Sequence, residues 1–164
     1  MLHNNCDIDH YLCDDTTTAV DRTYIWGGNA DLLLAIVKNL EDEMNVAFDT
    51  KNAKVRVIIL VEDSPYHYSS FLPLLYKHIV LQTQSVINDS INEENRLLKM
   101  RGRPKVLVAH TYEEAMSLYE QYKPYVLSVF SDMRYPKEGK EDDRAGFKLL
   151  TKIKSEIPDL PALV

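Results

Sequence analysis

Short apolar runs alternate along most of the chain with segments whose apolar residues recur every three or four positions. The runs are rich in Val, Ile and Leu and lack regular polar alternation, so they predict strands buried on both faces of a parallel sheet. These strands are predicted at residues 55–61, 105–109, 125–130 and 160–164. The periodic segments between them predict three amphipathic helices.

Local signals mark where these helices begin. Ser64 and Pro65 suit a helix start, because proline is tolerated in the first turn, whereas Pro73 is expected to kink or split the same helix. The run from Thr111 to Glu114 matches a capping box. The alternation of strands and helices from residue 55 onward predicts an α/β domain with right-handed crossovers.

The first 54 residues carry weaker patterns. Residues 1–21 show no period and predict a disordered leader, residues 22–26 form a short β-prone run, and residues 45–54 are polar and predict a linker. An amphipathic helix is predicted between the β-prone run and the linker. The apolar stripe is Leu32, Leu33, Ile36, Val37 and Leu40, and the residues expected to face water are Lys38, Asn39, Glu41 and Asp42.

Composition and charge indicate the cellular compartment and exclude some classes of partner. The 164 residues carry a formal net charge of −6, so we do not expect direct contact with nucleic acid, which needs clustered Lys and Arg. Cys6 and Cys13 are the only cysteines, which favours a reducing compartment. No apolar run reaches the roughly 18 residues needed to cross a bilayer, and the N-terminus lacks a signal-peptide pattern. We therefore expect a cytoplasmic protein without membrane segments.

Carboxylates follow two of the predicted strands. Glu62 and Asp63 come directly after the first strand, and Asp132 follows the third. The carboxyl ends of parallel strands share one edge of the sheet, where ligands of such folds collect. Three converging carboxylates suit a hard divalent cation, and Mg²⁺ fits because it prefers oxygen ligands and retains waters that a phosphate can displace. One carboxylate would then remain as a nucleophile for a phosphoryl group.

These residues resemble a known family. The run from Ile59 to Ser64 is similar to the first acidic pair of response-regulator receiver domains, and the run from Asp132 to Pro136 is similar to their phosphoacceptor segment. The resemblance implies that Asp132 is the phosphoacceptor and that Glu62, Asp63, Asp132 and the main-chain carbonyl of Arg134 bind Mg²⁺. It also implies a flavodoxin-like, doubly wound sheet in strand order 2-1-3-4, with the fifth strand missing or supplied by the N-terminal segment. The implied partners are a histidine kinase or phosphotransfer protein, and a second copy of the chain.

A narrower resemblance covers residues 22–164. Phrases such as Tyr24-Ile25-Trp26 and the run from Tyr68 to Pro73 are similar to the N-terminal tandem receiver region of phosphoenolpyruvate synthase-like proteins. It implies that residues 22–44 are the last strand and helix of a preceding receiver-like unit, and that 55–164 is a receiver truncated after its fourth strand. The nucleotide-binding and pyruvate-binding region of those proteins has no counterpart here, so the chain is not expected to be an enzyme.

Two questions stay open at the level of sequence. A pseudo-receiver, which binds a protein partner without being phosphorylated, is the alternative function. The second question concerns the edge of the strand at 160–164, whose unpaired backbone groups invite a neighbouring strand. Residues 23–26 are predicted to pair in parallel beside 162–164, within the chain or by exchange between two chains.

Overall fold

A parallel β-sheet of four strands, covered by helices, forms the centre of the molecule. The computed structural model describes residues 22–88 and 102–164, so the predicted leader at 1–21 lies outside the described residues. The strands of the sheet are β1 (Val57–Val61), β2 (Lys105–Ala109), β3 (Val126–Ser131) and β6 (Ala162–Leu163). Their order is β2-β1-β3-β6, which confirms the predicted 2-1-3-4 arrangement of the parallel strands.

Four α-helices and one hairpin complete the described part of the chain. The helices are α1 (Asp31–Ala53), α2 (Pro65–Asn88), α3 (Tyr112–Tyr122) and α4 (Ala145–Glu156), with a 3₁₀ turn at Lys123–Tyr125. Strands β4 (Tyr135–Lys137) and β5 (Lys140–Asp142) pair antiparallel as a separate hairpin. Helix α2 remains a single helix through Pro73, contrary to the predicted split. None of the described helices has the length and apolar character required to cross a membrane.

Strands β1 and β2 are buried on both faces, as their continuous apolar sequences predict, whereas Leu127 of β3 and Leu163 of β6 are exposed. Every residue of β1 and β2 is buried. Ile58 and Leu60 point to the face that α2 covers, where they pack in a cluster with Leu72 and Tyr76. The alternate residues of β1 point to the opposite face, which α3 and α4 cover. Successive strand residues point to opposite sides, so β1 contributes to both cores at once.

The predicted linker at residues 45–54 is wrong, because α1 continues through Ala53 and ends with Lys54 in the left-handed conformation at φ 55°. Val46 and Thr50 are buried and continue the row of the helix that faces the protein. The Thr50 hydroxyl also donates to the carbonyl of Val46 at 2.7 Å, so its polarity is satisfied within the helix. The prediction failed because Val46 and Thr50 are the only buried residues of this part of the helix, so its mostly polar composition gave no helical pattern.

The predicted orientation of α1 is also wrong. Leu33, Val37 and Leu40 are exposed, whereas Asn39 and Asp42, which were expected to face water, are fully buried. The residues of α1 that face the protein are Leu32, Ala35, Asn39, Asp42, Val46 and Thr50. Asn39 and Asp42, two polar residues of this row, face the outer edge of β2, because α1 lies along that edge.

Side chains of α1 satisfy backbone groups at that edge. The Asn39 amide donates to the carbonyl of Val106 at 3.0 Å, and the Asp42 carboxylate accepts from the Val106 N–H at 3.0 Å. Buried backbone groups need such partners, and an unpaired strand edge otherwise invites another strand. The helix therefore closes one edge of the sheet with side-chain hydrogen bonds.

Residues 23–26 do not form a strand beside β6, so the predicted pairing is wrong. The segment lies against α2, where the Thr23 carbonyl accepts from the Tyr68 hydroxyl and the Ile25 N–H donates to Ser69 Oγ at 3.0 Å. The physical reason is that α1, which directly follows this segment, packs along β2, and β2 and β6 form opposite edges of the sheet. Among the described residues β6 pairs with β3 alone. The division into a preceding unit and a receiver stays a prediction.

Candidate functional site

The acidic residues lie where β1 and β3 end side by side. The parallel register pairs Val61 with Ser131, the last residues of the two strands. The N–H of Asp132 donates to the carbonyl of Val61 at 2.9 Å, which continues the ladder one residue past β3. On the other side, the Glu62 N–H donates to Ala109 at the end of β2, also at 2.9 Å. These bonds fix the backbone that carries the candidate site.

Glu62, Asp63 and Asp132 come together as the sequence predicts. Each offers a carboxylate oxygen, and the three oxygens lie within 4.8 Å of one another. Their accessibility differs in a graded way, because Glu62 is buried, Asp63 is half-buried and Asp132 is exposed. Asp132 is therefore the carboxylate that a molecule arriving from solvent can reach.

Burial and mutual repulsion shape the charge of this cluster. The pKa of Glu62 is raised, chiefly by burial and further by the negative charge of Asp132, while a hydrogen bond from the Ser64 N–H opposes the shift. The pKa of Asp63 is also raised, first by burial and then by the charges of Asp132 and Glu141. Both directions show that full ionisation of the cluster costs free energy, which a nearby positive charge offsets.

The donor set fits a hard divalent cation. Carboxylate oxygens at this separation are the ligands that Mg²⁺ takes in proteins, and a cation between them would offset the repulsion of their negative charges. Ca²⁺ and Mn²⁺ also take carboxylate ligands, so the donor set indicates a class of ion more firmly than one element.

The resemblance to receivers implies a further ligand, the main-chain carbonyl of Arg134, and this stays a prediction. The Arg134 guanidinium lies 3.6 Å from Glu141, with both side chains largely exposed, and its positive charge partly opposes the rise in the pKa of Asp63. The neighbouring carbonyl of Met133 accepts from the Gly146 N–H at 3.0 Å.

Gly146 holds the loop after β3 close to α4. A Cβ atom at this position would lie 2.1 Å from the Asp132 carbonyl oxygen and 3.1 Å from the Met133 Cα, both of them backbone atoms. Any side chain here would have to displace the segment that carries the candidate nucleophile. The glycine therefore sets the position of Asp132 through backbone contact.

The acidic segment between Asp132 and α4 is a short hairpin rather than an irregular loop. Strands β4 and β5 are joined at Glu138 and Gly139, which have φ values of 53° and 72°. Two consecutive positive φ values are typical of the tight turns that suit the twist of a hairpin. Glu141 on β5 contributes to the raised pKa of Asp63, so the hairpin adds negative charge beside the site.

Two histidines, His67 and His110, contact Glu62. Neither was predicted from the sequence to be a site residue. His67 Nδ1 lies 3.3 Å from Glu62 Oε1, although most of the His67 side chain is exposed. His110 Nδ1 lies 2.9 Å from the main-chain oxygen of Glu62. His67 follows Glu62 by five residues, in the first turn of α2, and His110 follows β2 directly. The position of His110 at a strand end is the same signal that identified the three carboxylates.

A cavity of about 580 Å³ opens beside the acidic cluster. One end is lined by Glu62, His67 and Asp132, and the other end by apolar side chains of α2, β3 and the C-terminal residues. Those apolar residues include Leu74, Phe130 and Leu163. The same cavity therefore brings acidic residues of the site together with apolar side chains, including Leu163 of β6.

Comparisons of the chain with protein-family models, with curated proteins and with solved structures found no match.

Proposed function

We propose that the chain is a receiver module that accepts a phosphoryl group on Asp132 in an Mg²⁺-dependent reaction. The observation that carries the proposal is the convergence of three carboxylates at the ends of β1 and β3, with only Asp132 exposed. In parallel α/β sheets this edge is where ligands bind. The receiver family and the flavodoxin-like fold are part of the proposal, and they rest on the resemblance of Glu62-Asp63 and of Asp132–Pro136.

The accessibility of the three carboxylates supports a different role for each in this proposal. Glu62 and Asp63 would bind the cation, and the support for this role is that they are less exposed and that burial raises their pKa values. Asp132 would be the nucleophile, and the support for this role is its exposure at the end of the adjacent strand. The bound cation would lower the repulsion between the cluster and an incoming phosphoryl group.

The reaction needs no general base. An Asp132 carboxylate oxygen forms a bond to phosphorus, and the bond from phosphorus to the donor breaks with its electron pair leaving on the donor. The product is an acyl phosphate on Asp132. Because a carboxylate attacks, no proton has to be removed from the nucleophile. The proposed donor is a phosphohistidine of a kinase or phosphotransfer protein, and the output is a partner or an attached domain.

The test is incubation of the 164-residue chain with acetyl phosphate and Mg²⁺, followed by intact-mass and peptide mass spectrometry. We expect one added phosphoryl group, located on Asp132 and removed by hydroxylamine. The group should not be added when EDTA is present during the incubation. Asp132→Asn should abolish the label. Asp143→Asn is the matched control, because Asp143 is an exposed carboxylate of the same connecting segment and lies outside the cluster.

Two results would count against the proposal. A label retained in Asp132→Asn would place the acceptor elsewhere. Absence of any label, together with Mg²⁺ titrations that Asp63→Asn leaves unchanged, would favour a pseudo-receiver that binds a partner without phosphorylation.

A further inference from the structure

Helix α1 exposes its most apolar face. The side chains of Leu33, Leu34, Val37, Leu40, Met44 and Phe48 have exposed fractions of 59%, 53%, 60%, 44%, 82% and 69%. We call these six residues the outer stripe. The opposite row of the helix packs on the edge of β2, so α1 is apolar on its outer side and partly polar on its inner side. Large contiguous apolar patches on a protein surface mark interaction sites.

The spacing of the outer stripe is that of a helix packed against another helix. Leu33, Val37, Leu40 and Met44 follow one another at intervals of four, three and four, the pattern of the core positions in a coiled coil, and Ala47 continues it. From Leu33 to Phe48 the stripe extends about 22 Å at 1.5 Å per residue. A partner with a flat surface, such as a sheet, would not require apolar residues at regular intervals of three and four.

The charges and sizes along the stripe favour a second copy of α1 in antiparallel orientation. Lys51 continues the same stripe beyond Ala47 and is exposed, so parallel packing would set it against the Lys51 of the other copy. Antiparallel packing instead places Lys51 near the first turn of the other helix, which carries Asp31. It also aligns the two helix dipoles favourably and sets Phe48 opposite the smaller Leu33 and Leu34.

We infer that the outer stripe is a homodimer interface, in which two copies of α1 pack antiparallel about a twofold axis near Leu40. A twofold axis makes the interface self-complementary, so one stripe is sufficient for both copies. The buried row of α1 stays on β2, and the candidate phosphorylation site lies at the strand ends and not on α1. The inference is therefore independent of the proposed function.

The experiment is sedimentation equilibrium of the full chain over a micromolar concentration series. We expect a dimer that Val37→Glu weakens by about 100-fold or more, because the new carboxylate would be buried without a partner. Leu74→Glu is the matched control. Leu74 is 57% exposed, close to the 60% of Val37, but lines the cavity beside the acidic cluster. A monomeric parent chain, or a dimer lost in Leu74→Glu but kept in Val37→Glu, overturns the inference.

Disulfide trapping tests the orientation. With Cys6 and Cys13 replaced by serine, Leu40→Cys should form a disulfide-linked dimer under mild oxidation, because Leu40 lies near the axis. Val37→Cys should not, because antiparallel packing sets Val37 opposite Met44. Parallel helices would bring both positions next to their own copies, so efficient linkage of both variants contradicts the antiparallel arrangement. Linkage of neither variant contradicts the interface.

Discussion

Asp42 is the buried charge that fixes α1 to the sheet, and its replacement by asparagine is the most informative test of the fold. Asp42 Oδ2 accepts from the Tyr76 hydroxyl at 2.9 Å, from the Val106 N–H at 3.0 Å and from Arg103 at 2.9 Å. Its Oδ1 lies 2.7 Å from Arg103 Nη2 and 3.4 Å from Lys105 Nζ. Both Oδ1 contacts are charge contacts without hydrogen-bond geometry. One carboxylate thus serves two cations, a hydroxyl and a strand edge.

The expected cost of Asp42→Asn follows from this arrangement. An asparagine amide keeps one oxygen acceptor but turns its NH₂ group toward donors, and it leaves Arg103 and Lys105 with less compensating charge. Asp49 still contacts Lys105 at 2.8 Å, so the loss falls mainly on Arg103. Removing one partner of a buried ion pair costs about 3–5 kcal/mol. That is a large part of the 5–15 kcal/mol typical of a whole domain.

The assay is urea unfolding followed by far-UV circular dichroism. With a urea slope of roughly 2 kcal/mol per molar, the midpoint should fall by about 2 M. Glu41→Gln is the matched control on the same helix. Glu41 is partly exposed, pairs with Lys38 at 2.6 Å and lies 3.9 Å from Arg103 at the margin of the network, so its loss should cost at most about 1 kcal/mol. Equal midpoints for Asp42→Asn and Glu41→Gln would refute the claim that this network fixes α1 to the sheet.

Three further predictions concern the candidate site and α3. Gly146→Ala should lower stability by about 2 kcal/mol in urea unfolding and weaken Mg²⁺ binding in calorimetry, whereas Gly27→Ala, which has open space around its Cβ, should do neither. Glu62→Gln should stabilise the metal-free protein at neutral pH and abolish stabilisation by Mg²⁺. The raised pKa means that the folded state binds the proton more tightly, so parent stability falls as pH rises from the ordinary glutamate value through the raised one. Melting curves at several pH values check this, and an unchanged pH slope in Glu62→Gln would contradict it. Thr111→Ala should cost about 1 kcal/mol, because Thr111 Oγ1 caps α3 by accepting from the Glu114 N–H at 3.1 Å; a thermal melt unchanged from the parent would count against it.

The central sheet and the acidic cluster could be predicted from sequence. Runs such as Val57–Val61 are apolar without alternation, and their short length and β-branched residues favour a strand buried on both faces. Carboxylates that follow such strands must converge, because parallel strands end at a common edge. Glu62 and Asp132 therefore come together through topology, without detailed knowledge of packing. The capping box at Thr111 was readable for a similar reason, since its hydrogen bond is local.

Helix α1 shows what only the tertiary structure decided. Its sequence favours burial of Leu33, Val37 and Leu40, yet Asn39 and Asp42 are buried instead. The periodicity of a helix gives the relative positions of its faces, but the surface it meets selects the face. Here that surface is the edge of β2, whose backbone N–H and C=O groups require polar partners. Apolar side chains could not satisfy those groups. The row that carries Asn39 and Asp42 therefore faces the sheet, and the outer stripe remains exposed.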